Sequence, residues 1–154
     1  MDHQKIDALP STGPKLWSYK SPEYMNYPSA AGFCTWLAKK TGLPFKLPTE
    51  AQWMYAATDK GTMIYPTNNG KVEPCKNIRC VDLKGPQTVG QYPPNPMGID
   101  FMMTFHQWTQ DWYGDSYYWD SPKDNPQGPN QGTQKTLSGG GQLCILSYGW
   151  RLAI

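Results

Sequence analysis

The sequence predicts an α+β domain with two helices, short strand segments and much irregular chain. Three observations lead there. Two well-marked helical segments follow one another between about residues 29 and 61. Turn signals then cut the chain into short pieces of strand character. The composition, with 15 Gly, 15 Pro, 7 Trp, 10 Tyr and 4 Phe among 154 residues, punctuates nearly every segment and argues against a bundle of long helices. The same wealth of aromatics argues against disorder. A chain of this length suits one domain with its own core. We expect an extended lead-in over residues 1–21 and the domain over 22–154.

The first helix is expected in "SAAGFCTWLAKKTG", with Ser29 as candidate N-cap and Gly42 as stop. Phe33, Trp36 and Leu37 fall at i, i+3 and i+4 and form one apolar face. The second lies in "LPTEAQWMYAATDKG". Here Thr49 and Gln52 make a Thr-x-x-Gln capping box, Trp53, Ala56 and Ala57 supply an inner face, and Gly61 is the expected stop. Beyond it, turns such as "TNNGK" and "YPPNPMG" separate strand-like segments, "QTVGQY" and "GQLCILSYGWRLAI". The run "SGGG" reads as a turn or bulge before the last strand. Between these segments lies a long aromatic loop, "DWYGDSYYWDSPKDNPQGPNQGTQ". Loops of that length in compact domains are functional or packed on themselves.

Several function classes are excluded early. A net charge of +2, with 17% charged residues and no basic run, argues against nucleic acid as the main partner and leaves no polybasic footprint for a membrane surface. No apolar stretch approaches the ~20 residues of a membrane span, and "MDHQKIDALPSTGPK" lacks the apolar core of a signal peptide. There is no Gly-x-Ser-x-Gly elbow, no phosphate loop, and no cysteine with an evident histidine partner. Asp111, Asp115, Asp120 and Asp124 read as solvated or as capping turns, and His106 as a partly buried packing residue.

Cys75 and Cys80, in "EPCKNIRC", are close enough to close a small disulfide loop, two free thiols being the alternative. Zinc would need more ligands, and the histidines, His3 and His106, stand at no finger spacing. A disulfide implies an oxidising compartment, which favours the bacterial periplasm over the cytoplasm. Cys34 and Cys144 read as buried thiols.

The stretch "FCTWLAKKTGLPFKLPTEAQWMYAA" resembles the formylglycine-generating enzyme (sulfatase-modifying factor) family. That family's pattern is an aromatic-Cys-x-Trp helix followed by Arg-Leu-Pro-Thr-Glu-Ala-Glu-Trp. The resemblance continues, in the family's order, through "VGQYPPNPMGI", "WTQDWY", "SPKDNPQGP" and "LSGGG…YGWRLA", covering roughly residues 22–154. It implies a fold related to C-type lectins, with small antiparallel sheets, and a missing or shortened N-terminal portion.

Members of the family oxidise a substrate cysteine with copper held by two cysteines near the C-terminus, and soft thiolates select Cu(I). Matching Gly139-Gly140 to the family's Gly-Gly-Ser motif sets Cys144 on the first cysteine and Gly149 on the second. Matching "YGWRLAI" to the family's last Gly-Phe-Arg strand instead removes most of the active-site segment. Either register leaves one cysteine. The family's calcium run appears as "IDFMMTFHQW", where Asp100 matches the acid but Met103, Thr104 and Gln107 stand for Gly, Asn and Glu. The histidine cluster of iron-dependent relatives is absent from the sequence.

The resemblance therefore implies a protein-binding module without the family's chemistry, needing no metal or other cofactor. Trp112, Tyr113, Tyr117, Tyr118 and Trp119 are the candidate binding residues, since exposed Trp and Tyr anchor interfaces. Relatives of this kind are associated with neutralising toxins of type VI secretion, so an immunity protein whose partner is a secreted antibacterial toxin or effector is the expected role. The alternatives are a thiol- or metal-dependent oxidase-like enzyme acting through Cys144, and a lectin-like variable ligand receptor.

Overall fold

The computed structural model describes residues 26–80, 90–100, 102–103 and 105–140, together with the backbone of 151–153. The first helix, α1 (Tyr27–Thr41), starts one turn before the expected cap. Asn26 rather than Ser29 is the N-cap: its Oδ1 accepts from the Ser29 N–H at 3.0 Å. Pro28 suits the first turn, where a missing N–H costs nothing. Lys39 and Lys40 in the last turn face the negative end of the helix dipole. Gly42 then stops the helix with a left-handed φ of 73°, its N–H donating to Ala38 O at 2.9 Å.

The apolar face expected on α1 is not an inner face. Phe33 and Trp36 do meet, with ring centroids 5.7 Å apart, but Trp36 is 41% exposed. The buried residue of this helix is Ala30. Cys34, expected to be buried, is a free and half-buried thiol whose pKa desolvation raises.

The second helix, α2 (Glu50–Ala57), carries the full capping box. Gln52 N donates to Thr49 Oγ1 and Thr49 N to Gln52 Oε1, each at 3.0 Å. It ends earlier than Gly61. Thr58 is the C-cap, and Asp59, Lys60 and Gly61 follow with φ of 47°, 62° and 83°. Three left-handed residues in a row cannot continue a right-handed helix. The Thr58 hydroxyl supports this exit, donating to Met54 O and accepting from Gly61 N.

A three-stranded antiparallel sheet packs beside α2. It comprises β1 (His106–Trp112), β2 (Lys135–Gly139) and β3 (Arg151–Ala153), in the order β1-β2-β3. β1 pairs His106 with Gly139 and Trp108 with Leu137, then shifts register before Trp112 meets Lys135. The central β2 is buried from Thr136 to Gly139. Of "SGGG", expected as a turn or bulge before the last strand, Ser138 and Gly139 belong to β2 itself, Gly140 follows it, and residue 141 lies outside the described residues. Of the predicted strand "QTVGQY", residues 87–89 lie outside the described residues, and Gly90–Tyr92 form turn-like chain with Gly90 at φ 76°. Of the predicted last strand, residues 141–150 and 154 also lie outside them, and β3 is its described part.

The apolar core is small, with Trp53, Ala57 and Met102 at its centre. Much of the remaining interior is polar. Thr49, Thr67, Thr109 and Thr136 are each at most 1% exposed. Asn95 ties the "PPNPMG" turn to the end of α2: its Nδ2 donates to Ala56 O at 2.7 Å while its Oδ1 accepts from Met97 N and Ile99 N. Buried side-chain amides thus give the loop backbone partners that regular structure would otherwise supply.

A candidate binding groove beside helix α2

Asp111 is the residue that joins the sheet to α2. Expected to be solvated or in a capping turn, it is instead 2% exposed, and its Oδ2 accepts from the Glu50 N–H at 2.7 Å across 61 residues. Alternation along β1 turns Thr109 and Asp111 to the buried side. This sets a carboxylate at the positive end of the α2 dipole and satisfies an N–H that the helix cannot. Asp115, Asp120 and Asp124 are exposed.

Glu50 itself is 4% exposed, and its Oε2 accepts from the Tyr118 hydroxyl at 3.2 Å. That bond fastens a short 3-10 helix, Tyr117–Trp119, to the start of α2. Between them opens a groove of about 560 Å³. One wall is the outer stripe of α2, with Ala51, Met54, Tyr55 and Thr58; the left-handed exit at Lys60 and Gly61 and the ring of Tyr118 complete it. Glu50 and Ser138 also line it. Met54, Tyr55 and Tyr118 are 36%, 54% and 41% exposed.

The five aromatic residues expected to bind are not gathered into one surface. Trp112 ends β1 beneath Lys135, whose Nζ lies 3.7 Å from its ring centroid and 4.6 Å from that of Tyr27. Such cation–π contacts, with the further Lys135 Nζ bond to Gln110 O, make it a packing residue. The Tyr113 hydroxyl donates to Asp115 at 3.3 Å. Tyr117 packs edge-on against Tyr118, and Tyr118 lines the groove. Trp119 points away from the fold and is 87% exposed. Met54 and Tyr55 lie off the inner face expected of α2 and were not among the expected binding residues. Yet Ala51, Met54, Tyr55 and Thr58 stand at i, i+3, i+4 and i+7, a second stripe readable from the sequence.

Other expected sites fall differently. Cys144 lies outside the described residues. Cys75 and Cys80 form a disulfide, with Cα atoms 4.4 Å apart. His106 is exposed at the start of β1, not partly buried, and its ring lies over Gly140, where any Cβ would collide with it. Gln107, at the position of the family's calcium-binding Glu, accepts the Trp53 indole N–H at 2.6 Å, and Met103 is buried at 4% exposure. An amide committed to an indole and a buried thioether do not fit a calcium site in this run. Copper fits no better, since the two-thiolate requirement meets only Cys144 in the C-terminal segment.

The comparisons with known proteins agree with this architecture. The sequence model of the sulfatase-modifying factor enzyme 1-like domain matches residues 20–150. The chain belongs to that family. This sulfatase-modifying factor-like domain is 35% identical over 130 residues to a serine/threonine-protein kinase pkn1 of Chlamydia pneumoniae, covering 77% of the chain and 20% of the kinase. It is 28% identical over 140 residues to the formylglycine-generating enzyme of Streptomyces coelicolor, covering 81% of the chain and 43% of the enzyme. The mouse formylglycine-generating enzyme is 27% identical over 146 residues. The domain thus spans a fifth to two fifths of these relatives' length. Its fold is similar to that of PvdO from Pseudomonas aeruginosa, with a TM-score of 0.66 at 21% identity, over 88% of this chain and 60% of that one. Two helices with a small antiparallel sheet make the domain α+β. No helix among its described residues is long and apolar enough to cross a membrane.

Proposed function

We propose that this domain is a protein-binding module that keeps the family's scaffold without its oxidase chemistry. The observation that carries the reading is the groove beside α2, with Met54, Tyr55 and Tyr118 half exposed along it and Trp119 exposed at its end of the fold. Tyr and Trp offer large, rigid contact area at little entropic cost, and such residues dominate interface energetics. The cysteines support the same reading: two are tied to each other, one sits on α1, and Cys144 alone remains near the C-terminus.

The partner we propose is a secreted antibacterial toxin of the type VI class, neutralised by tight binding, with the periplasm as the compartment. Immunity of this kind needs affinity and nothing more. The test is native capture of tagged chain from the source cells, with bound proteins identified by mass spectrometry, beside Tyr55→Ala, Trp119→Ala and Cys144→Ser. We expect one toxin-like protein, held equally by Cys144→Ser and more weakly, by about tenfold or more, by the aromatic variants. Co-expression should then protect cells from that protein. Loss of the partner in Cys144→Ser, or a thiol-linked species that vanishes with it, sinks the reading and returns the site to catalysis.

A further inference from the structure

The segment 63–80 is held by a knot centred on one amide. Asn77, 7% exposed, donates from Nδ2 to Asn68 Oδ1, Asn69 Oδ1 and Lys71 O at 3.0–3.1 Å, and its Oδ1 accepts from Glu73 N at 2.8 Å. Thr67 Oγ1 adds a bond to Lys71 O at 2.8 Å, and Asn69 Nδ2 one to Glu73 Oε2 at 2.7 Å. The disulfide Cys75–Cys80 closes a ring around Asn77 and the neighbouring Ile78, which is 1% exposed. Cys75 itself has a φ of 66°, a region that residues with a Cβ rarely occupy. It is held there by its N–H bond to Ile78 O and by the bonds from Lys76 N and Asn77 N to Glu73 O. Cys75 is also the exposed member of the pair, Cys80 being half-buried.

A short ring, an exposed cysteine and a left-handed residue within the ring occur together where the ring orders a polar knot. We infer that Cys75–Cys80 is a thiol-reducible clasp, which keeps the 67–78 knot closed when oxidised and releases it when reduced. The chemistry is ordinary exchange. A thiolate attacks Cys75 Sγ, the S–S bond breaks, and Cys80 leaves as a thiolate that takes a proton from water. A second thiol resolves the mixed disulfide, freeing Cys75, so two external thiols become one disulfide and deliver two electrons. The reductant is any small-molecule or protein dithiol able to reach Cys75. Once the ring is open, Cys75 can leave the left-handed region, and the four bonds of Asn77 lose the constraint that aligns them.

The test uses the full chain. Trypsin cleaves after Lys76 and Arg79, so an oxidised ring appears as two peptides joined by the disulfide, and a reduced one as separate alkylated peptides. Hydrogen exchange of segment 67–78 is then followed before and after treatment with dithiothreitol, and after reoxidation. Reduction should speed exchange at Glu73 and Asn77 on the order of thirtyfold, the weight that chain entropy gives so short a ring. Protection of α2 should persist, and reoxidation should restore the knot. The double variant Cys75→Ser/Cys80→Ser should match the reduced pattern; if it does not fold, the reduced wild-type chain still decides. Alkylation of both cysteines without reductant overturns the inference, as does unchanged exchange after reduction. Loss of α2 protection together with the knot also overturns it, since the bond would then be a staple of the whole fold.

Discussion

The Asp111 cap can be tested to a number. Its Oδ2 lies 2.7 Å from the Glu50 N–H, and both residues are nearly withdrawn from water at 2% and 4% exposure. A hydrogen bond to a charged acceptor contributes about 1.5–3 kcal/mol. A carboxylate at a helix N-terminus adds roughly 0.3–1 kcal/mol through the dipole. Asp111→Ala removes both and strands a buried N–H, so we expect a loss of about 3 kcal/mol, the terms overlapping in part. Asp111→Asn keeps an acceptor and gives up the charge, and should lose only about 1 kcal/mol. Urea denaturation followed by tryptophan fluorescence reads both, since Trp53 sits in the core behind the cap. For a chain of this size, 3 kcal/mol is a fall of roughly 10 °C in Tm. An Ala variant within about 0.5 kcal/mol of wild type, the range of ordinary surface changes, would refute the cap. So would an Asn variant as damaging as Ala, because the acceptor would then not matter.

Two further predictions follow from positions of the same kind. Gly139 in β2 has a φ of 77°, and a Cβ there would stand 2.5 Å from Met102 O and 3.1 Å from Trp53 Cζ2; Gly139→Ala should cost about 2–4 kcal/mol by thermal unfolding, whereas Gly98→Ala, also left-handed but in open space, should cost only about 1–2 kcal/mol. The Asn69 amide holds the Glu73 carboxyl below its ordinary pKa, against desolvation and with lesser help from Lys76 and Lys71. A depressed carboxyl contributes stability above its unfolded pKa and loses it as pH falls through the folded one. Asn69→Ala should therefore raise the Glu73 titration measured by NMR, and shrink the pH dependence of stability on the acid side of the ordinary carboxylate range. An unmoved titration would remove Asn69 as the main cause.

What the sequence made legible was local. The α2 capping box spans four residues and needs only Thr49 and Gln52, and Gly42 ends α1 by its own backbone freedom. The family motifs, five segments in order, carried the fold. The strands β1 and β2 were not legible. Their buried positions are Thr109, Asp111, Thr136, Leu137, Ser138 and Gly139, with Leu137 the one large apolar side chain, so a search for alternating apolar residues passes over them. The Asp111 cap was hidden for a related reason: its partner lies 61 residues away, and a loop aspartate near Trp112 and Tyr113 gives no sign of burial. The groove was half legible, since the second stripe of α2 is regular, but Tyr118 reaches it only through a bond to Glu50 across 68 residues.

The polar interior bears on what such a scaffold can do. In an apolar core each side chain touches many others, and a changed loop disturbs its neighbours. Here separate loops are fastened by single buried groups with few partners in common: Asn77 for 67–73, Asn95 for 95–99, Asp111 for the start of α2. Asn77 bonds to Asn68, Asn69, Lys71 and Glu73, Asn95 to Ala56, Met97 and Ile99, and Asp111 to Glu50, so each fastening acts on its own stretch of chain. The constraint is concentrated instead where other groups crowd a glycine, at Gly139 against the Met102 carbonyl and at Gly140 against the His106 ring. A fold crowded at Gly139 and Gly140 and locally fastened elsewhere can carry varied loops around one groove. That division of labour suits the protein-binding role proposed above, because loops on such a scaffold can differ without loss of the frame.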